Sequence, residues 1–509
     1  MPFFENLGFT NHPFAHTNAD EEPRLADYFV APPFFGAVLG DPNQPSPTVV
    51  LAPRGTGKTA LRRIVEAQSE ANQIFAITYD RFEFSPGETP ASIGLAYHIR
   101  NIIVRILVAY LSNLADDPDL IKELDKHTKH ALSVFVHSYL GDMTGARLQE
   151  VISQLRSLPE RFKAFWQQNV GVLEFLVNIL LRHYGLDSID LPEAKQEEKR
   201  LAESYKHQLE VMSVLVRKLG FRSIYVLIDK VDETELTGAS PEATYQLVSP
   251  LLRDLELLGI SHFGFKFFLW DQIEPYFRDD ARPDRVAQYR LDWSRASLEQ
   301  VLASRLRAHS QGQVHTIAQL LSEALPFNVD TALCILANGS PRNLIRICDK
   351  ILAVQAETAP DSRHITPAAI ERAVLLHCEQ IAEELYGEDI PRELQRVGRE
   401  LFTISYLASD VFRTTHENTS RNKVIKWQDL GVVVQVGSVS VQAARRPLNF
   451  YYVADPAMNR LIHRATPLDE FIRDRWLPCP HCHADNLMEI ALLPPENDLL
   501  CHKCGRPLL

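Results

Sequence analysis

Thr48-Val49-Val50-Leu51-Ala52-Pro53-Arg54-Gly55-Thr56-Gly57-Lys58-Thr59-Ala60 is the stretch that decides the fold. Its first five residues are apolar or β-branched and read as a short buried strand. A glycine-containing turn follows, and the run from Lys58 to Ala71 has helical periodicity. A polyphosphate needs a concave ring of backbone N–H groups, and only small residues let the main chain approach that closely. Gly55 and Gly57 supply the permissive backbone, and Pro53, Arg54, Thr56 and Ala60 complete the cradle. In the pattern G-x-x-x-x-G-K-[ST] the lysine reaches the β- and γ-phosphates and the hydroxyl residue holds Mg²⁺, roles that fall to Lys58 and Thr59. The first glycine of that pattern is Ala52 here, a mild replacement if φ stays negative. A chance Gly-Lys-Thr turn is the bland alternative, and the strand before it and helix after it argue against that.

Outward from this loop, Gln73–Tyr79, Ser223–Asp229, Gly264–Trp270 and Gln288–Trp293 read as further strands. Strands separated by helices imply a mostly parallel sheet covered on both faces. A long gap precedes Ser223, and its helical patterns (Ala91–Ala115, Leu173–Arg182 and Glu193–Gly220) suggest an insertion at about residues 90–220. The apolar run Ile93–Leu114 is interrupted by His98, Arg100 and Arg105, so it reads as a buried helix.

A nucleotide-hydrolysing site needs a carboxylate at the end of a neighbouring strand to orient Mg²⁺. Leu227-Ile228-Asp229-Lys230-Val231-Asp232-Glu233 supplies Asp229 for the metal, and either Asp232 or Glu233 to polarise the attacking water. Together with the phosphate loop, this stretch resembles the AAA+ and STAND branch of P-loop NTPases. Many AAA+ members place the catalytic glutamate directly after the metal aspartate, where this chain has Lys230; the order D-x-h-D-E is closer to the STAND pattern.

That resemblance implies an α/β P-loop NTPase sheet with a large helical insertion, binding and hydrolysing ATP with Mg²⁺. Adenine rather than guanine is implied by the resemblance, and no N-K-x-D-type guanine motif is found. Asn338-Gly339-Ser340-Pro341-Arg342-Asn343 is similar to the sensor-2 region of AAA+ proteins, origin-recognition-like ATPases included, which makes Arg342 the candidate γ-phosphate contact. A helix-start loop with a solvated arginine is the alternative. Arg282 and Arg285 lie where such families place a trans-acting arginine, although surface ion pairing explains them more simply. Asp271 stands in the sensor-1 zone, and no role is drawn from it. The order of features looks most like a little-studied group of bacterial P-loop ATPases. Related ATPases occur in genome maintenance and phage defence, an analogy of context only.

Cys479-Pro480-His481-Cys482 and Cys501-His502-Lys503-Cys504 form C-x2-C-x18-C-x2-C. Two-residue gaps let both thiolates of a pair face one ion, so the four cysteines read as a closed, structural Zn²⁺ site in a ribbon. The remaining Cys334, Cys348 and Cys378 are scattered and odd in number, which is no disulfide framework.

The formal net charge of −12 over 509 residues argues against a wholly basic nucleic-acid-binding surface. Residues 391–475, however, hold 13 Lys or Arg against 9 Asp or Glu, a local +4. Arg421, Lys423, Lys426, Arg445 and Arg446 could share one face there. The opening Met-Pro-Phe-Phe-Glu has no basic lead and no long apolar core, so it is not read as a signal peptide, and a cytoplasmic protein with no membrane partner is expected.

The expected organisation is a lead segment (1–46), a P-loop core (47–308), a helical lid (309–385), a winged-helix-like domain (390–470) and a zinc ribbon (475–509). Three functions fit. One is an ATP-driven switch contacting DNA or RNA through its C-terminal modules. Another is a STAND-like signalling or defence ATPase that senses a protein trigger and forms a homo-oligomer. The third is an ATP-binding scaffold that hydrolyses weakly.

Overall fold

The computed structural model describes residues 2–116, 120, 124–140, 151, 204–238, 240–414, 417–439, 448–489 and 499–508. The helical pattern expected at Leu173–Arg182 and the basic pair Arg445 and Arg446 lie outside the described residues. The chain divides into two compact units, one of Ala31–Arg54 and Lys58–Leu291, the other of Met1–Val30, Gly55–Gly57 and Asp292–Leu509.

The first unit is built on β1 (Thr48–Ala52), β2 (Ile74–Tyr79), β3 (Ser223–Ile228), β4 (Phe263–Trp270) and β5 (Ala287–Arg290), in the order β2-β3-β4-β1-β5. Every pairing is parallel. The strands β1, β2 and β3 are buried along their whole length, as expected of strands covered on both faces. The edge strand β5 is largely exposed and shorter than the expected Gln288–Trp293. The Leu291 N–H still reaches the Leu51 carbonyl, but Ser294 then caps the next helix and draws the chain out of the sheet.

Helix Lys58–Ser69 turns Leu61, Ile64 and Val65 inward. Between β2 and β3 stand helices Leu95–Asp116, Lys126–Leu140 and Tyr205–Lys218. Leu95–Leu114 is apolar and long enough to cross a membrane, yet 72% of that window is buried. Ile99, Ile102, Ile103, Ile106 and Leu107 pack there in one core with Phe75 and Ile77 of β2.

The second unit is mainly helical through Arg295–His309, Val329–Leu336, Pro341–Thr358 and Pro367–Tyr386. Ser294, Asn328, Ser340 and Thr366 each accept a hydrogen bond from a first-turn N–H, a cap that contributes about 1 kcal/mol. Thr366 followed by Pro367 starts its helix as the sequence suggests. The lead residues Phe3, Leu7, Phe9 and Phe14 are buried in the same core. Arg305, 2% exposed, holds that segment through the Pro13 carbonyl, the Tyr28 hydroxyl and Glu22.

Further on, the apolar spacing of Glu393–Leu407 reads in the sequence as one helix, but the chain is helical from Asp389 to Val397. Gly398, at φ 68°, ends it, and the short strand β6 (Leu401–Phe402) follows. β6 pairs with β8 (Leu448–Val453), which pairs with β7 (Val433–Val439), all antiparallel. Helix Glu417–Asp429 precedes the hairpin, and its fully buried Trp427 packs edge-on against Phe402. The tail strands β9 (Trp476–Pro478) and β10 (Asp485–Leu487) pair antiparallel. This tail does not stand apart. Met488, Leu499 and Leu508 share one apolar cluster with Val436 and Tyr452 of the hairpin, and the Leu500 N–H donates to the Val436 carbonyl.

Candidate nucleotide site and metal centre

The turn after β1 adopts the backbone that its glycines permit, with φ of 81° at Gly55 and 96° at Gly57. A Cβ added at Gly55 would stand 3.0 Å from Ser340 Oγ, so the position is closed to larger residues sterically as well as torsionally. Ala52 is not among the residues with positive φ, which is why alanine serves where the motif carries glycine. Lys58 opens the following helix and is buried. Its Nζ donates to the Ala52 carbonyl at 3.0 Å and the Pro53 carbonyl at 3.2 Å. Burial lowers its pKa, while the carboxylates of Asp232, Asp229, Asp271 and Glu233 act in the opposite direction. Thr59 and Ala60 sit half-buried in the first turn of the helix.

Strand order brings the acids to this loop. β4 lies between β1 and β3, so Asp229, directly after β3, and the turn after β1 sit at the same end of a parallel sheet. Asp229 is 1% exposed. Its Oδ1 accepts the Lys230 N–H at 2.9 Å, and its Oδ2 faces Arg62 Nε at 3.3 Å. Arg62 is itself fully buried and also bonds Glu66 at 2.8 Å and Thr78 at 3.3 Å. Burial raises the Glu66 pKa, against the pull of Arg62.

Asp232 is also buried, but its Oδ2 accepts Arg54 Nε at 2.8 Å and its carbonyl accepts Arg54 Nη2 at 2.8 Å. The guanidinium lies 4.5 Å from the Trp270 ring centroid. Glu233 is exposed at the end of the short turn Val231–Glu233. From the sequence, Arg54 belongs only to the cradle, Trp270 only to the end of the fourth strand beside Asp271, and Arg62 has no assigned place. An arginine on the inner face of an amphipathic helix was the available signal for Arg62.

Among the other arginines, Arg342 is exposed, and its backbone N–H donates to the Gly55 carbonyl at 3.3 Å beside Ser340 Oγ, which donates to the same oxygen at 3.3 Å. Arg282 is bidentate to Asp284 at 3.0 Å on both arms, and Arg285 faces the same carboxylate at 3.7 Å. Those are exposed pairs within one loop. Asp271 Oδ2 accepts Arg290 Nη2 at 3.2 Å, linking the ends of β4 and β5.

The four tail cysteines converge. Their Sγ atoms all lie within 4.8 Å of one another, with Cys479–Cys504 and Cys482–Cys501 each at 3.7 Å. Four thiolates held about 2.3 Å from a tetrahedral zinc stand roughly 3.8 Å apart, so the set fits that ion. The His481 N–H points at Cys479 Sγ and the Lys503 N–H at Cys501 Sγ, each at 3.4 Å, which suits sulfurs carrying negative charge. His502 is not in the set; its Nδ1 bonds Asn486 Oδ1 at 2.7 Å.

A parallel sheet in the order β2-β3-β4-β1-β5, with a glycine turn and Lys58 after β1 and a buried aspartate after β3, defines an α/β P-loop NTPase fold. No family model and no curated protein matches the chain. Among solved structures, the Aeropyrum pernix ORC1 protein, determined in complex with DNA, is 11% identical over 88% of this chain and 96% of that one, with a TM-score of 0.36.

Proposed function

We propose that the chain binds and hydrolyses ATP as a nucleotide-driven switch, and that it couples this cycle to nucleic acid through its C-terminal region. The observation that carries the proposal is the buried Lys58 amine within the influence of four carboxylates at one end of a parallel sheet. Its hydrogen bonds run to the Ala52 and Pro53 carbonyls, and a polyphosphate would add an anion in direct contact with this buried amine, beyond the pull of those carboxylates. Lys58 and the N–H groups of residues 54–60 hold phosphate oxygens in this reading. Thr59 and Asp229 hold Mg²⁺, which when bound neutralises charge on the phosphates. Asp232 is engaged by Arg54, which leaves Glu233 to take the proton of the attacking water. Arg342, beside the Gly55 carbonyl, is the further phosphate candidate.

For nucleic acid, support comes from helix Glu417–Asp429. Its exposed face carries Arg421, Asn422, Ile425 and Lys426, side chains suited to phosphates and base edges. Lys423 is turned to Glu393 instead. With the hairpin β7–β8 behind it, residues 390–470 serve as a winged-helix-like reader, and residues 475–509, holding Zn²⁺ on Cys479, Cys482, Cys501 and Cys504, brace it.

The test is phosphate release from ATP by zinc-replete protein, with duplex DNA, single-stranded DNA or RNA, against Lys58→Ala. Turnover in the wild type that disappears in Lys58→Ala and rises with one nucleic acid supports the proposal. Turnover equal in both proteins refutes the site. Turnover indifferent to every nucleic acid refutes the coupling.

A further inference from the structure

A cavity opens at the end of the sheet opposite Asp229. It has a volume of about 600 Å³ and is lined by Val214, Arg217, Lys218, Phe221, Arg222 and His262 among others. Arg222 directly precedes β3 and His262 directly precedes β4, so the cavity faces the strand starts. The six-residue β3 separates that level from Asp229 by about 20 Å.

The walls are cationic. Arg217, Lys218 and Arg222 are all exposed around the opening, and no carboxylate stands among the lining residues. Arg222 is held by its Nε to Gln73 Oε1 at 2.6 Å and by its backbone N–H to the Gln73 carbonyl, which fixes where its outer nitrogens stand. Lys218 pairs with Asp125 at 3.6 Å, a half-exposed pair whose geometry contributes little. His262 Nδ1 is buried with no hydrogen-bond partner among the described residues. At the helix end beside the cavity, the carbonyls of Val216 and Arg217 accept the N–H groups of Leu219 and Gly220.

The floor is apolar. Phe221 is half-buried, edge-on to Phe75 at 5.1 Å, and the Val214 side chain is 48% exposed. Three cations beside an aromatic and aliphatic floor, in a space within the small-ligand range of about 300–1,000 Å³, match one chemistry. The cations suit a phosphate, and the floor suits a flat ring stacked on it.

We propose that this cavity is a second ligand site that takes a nucleoside phosphate, independent of the phosphate loop. The test uses the full chain carrying Lys58→Ala, so that the first site is silenced, and follows the fluorescence anisotropy of methylanthraniloyl-AMP with inorganic pyrophosphate as competitor. Saturable binding is expected, reversed by pyrophosphate and weakened about tenfold or more by adding Arg217→Glu or Arg222→Gln. Arg217 lies on an exposed helix surface, so its variant keeps the test valid should loss of the Arg222–Gln73 bond unfold the strand start; circular dichroism checks both. Absence of saturation up to millimolar probe overturns the proposal. Binding that is unchanged by Arg217→Glu overturns it equally.

Discussion

Arg54 and Asp232, 178 residues apart, are joined by a 2.8 Å bond from Nε to Oδ2, with the guanidinium stacked over Trp270. The candidate phosphate loop is therefore tied to the strand end that carries the acids, and one of the two carboxylates proposed for water activation is already occupied. Asp232 Oδ2 is held by Arg54, whereas Glu233 is exposed at the end of its turn, so Glu233 is the carboxylate placed to meet a water.

From this follows an order of effects. Glu233→Gln is expected to lower the single-turnover hydrolysis rate by about 10² or more, with ATP affinity changed only a few-fold. Asp232→Asn should act mainly on affinity, by loosening Arg54. Rapid-quench kinetics beside equilibrium binding separate the two, and the reverse order would move the base to Asp232.

Arg62 makes a different prediction. It is fully buried with Asp229 and Glu66, so Arg62→Met leaves two carboxylates without their cation. A destabilisation of about 3 kcal/mol or more is expected, read as a lower denaturation midpoint in urea. A midpoint within error of the wild type would show the network to be dispensable.

Lys266 supplies the pH dependence. Its amine is buried in β4, donates to the Ser46 carbonyl at 2.9 Å and sits 4.9 Å from the Tyr225 ring centroid. Burial pushes its pKa down from 10.5 to about 7. Between those values the unfolded chain binds the proton and the folded chain does not, so stability contributed by this group rises with pH from about 7 and levels off near 10.5. Lys266→Met should flatten that rise in thermal denaturation curves taken across the same window. An unchanged slope would assign it to other groups.

The tail gives the fourth. We expect the purified chain to hold zinc in equal proportion and Cys501→Ser to lose most of it by elemental analysis. Undiminished zinc would eliminate this ligand set. Because Leu500 bonds Val436 and the tail shares an apolar cluster with Tyr452, hydrogen exchange in β7 and β8 should quicken in the same variant.

Much of the site was legible beforehand because its signals are local. A buried strand, a glycine turn, a lysine opening a helix, a threonine–proline helix start and paired C-x2-C spacings each depend on neighbours within a few residues, where backbone torsion and side-chain reach are set by covalent chemistry. The helix expected over Glu393–Leu407 was misread because the helical periodicity there outran a single glycine, Gly398, whose left-handed torsion ended the helix.

By itself, then, the sequence determined the strand, glycine turn and helix around Lys58, the strand ending at Asp229 and the cysteine quartet. Tertiary structure alone decided that Arg54 meets Asp232, that Arg62 meets Asp229 across 167 residues, and that Lys266 meets Ser46 across 220. It also collected Arg217, Arg222 and His262 around one cavity. The physical reason is strand order. Which strand lies beside which is set by burial of the whole sheet, a global sum that no short window contains, and that order chooses which distant charges become neighbours.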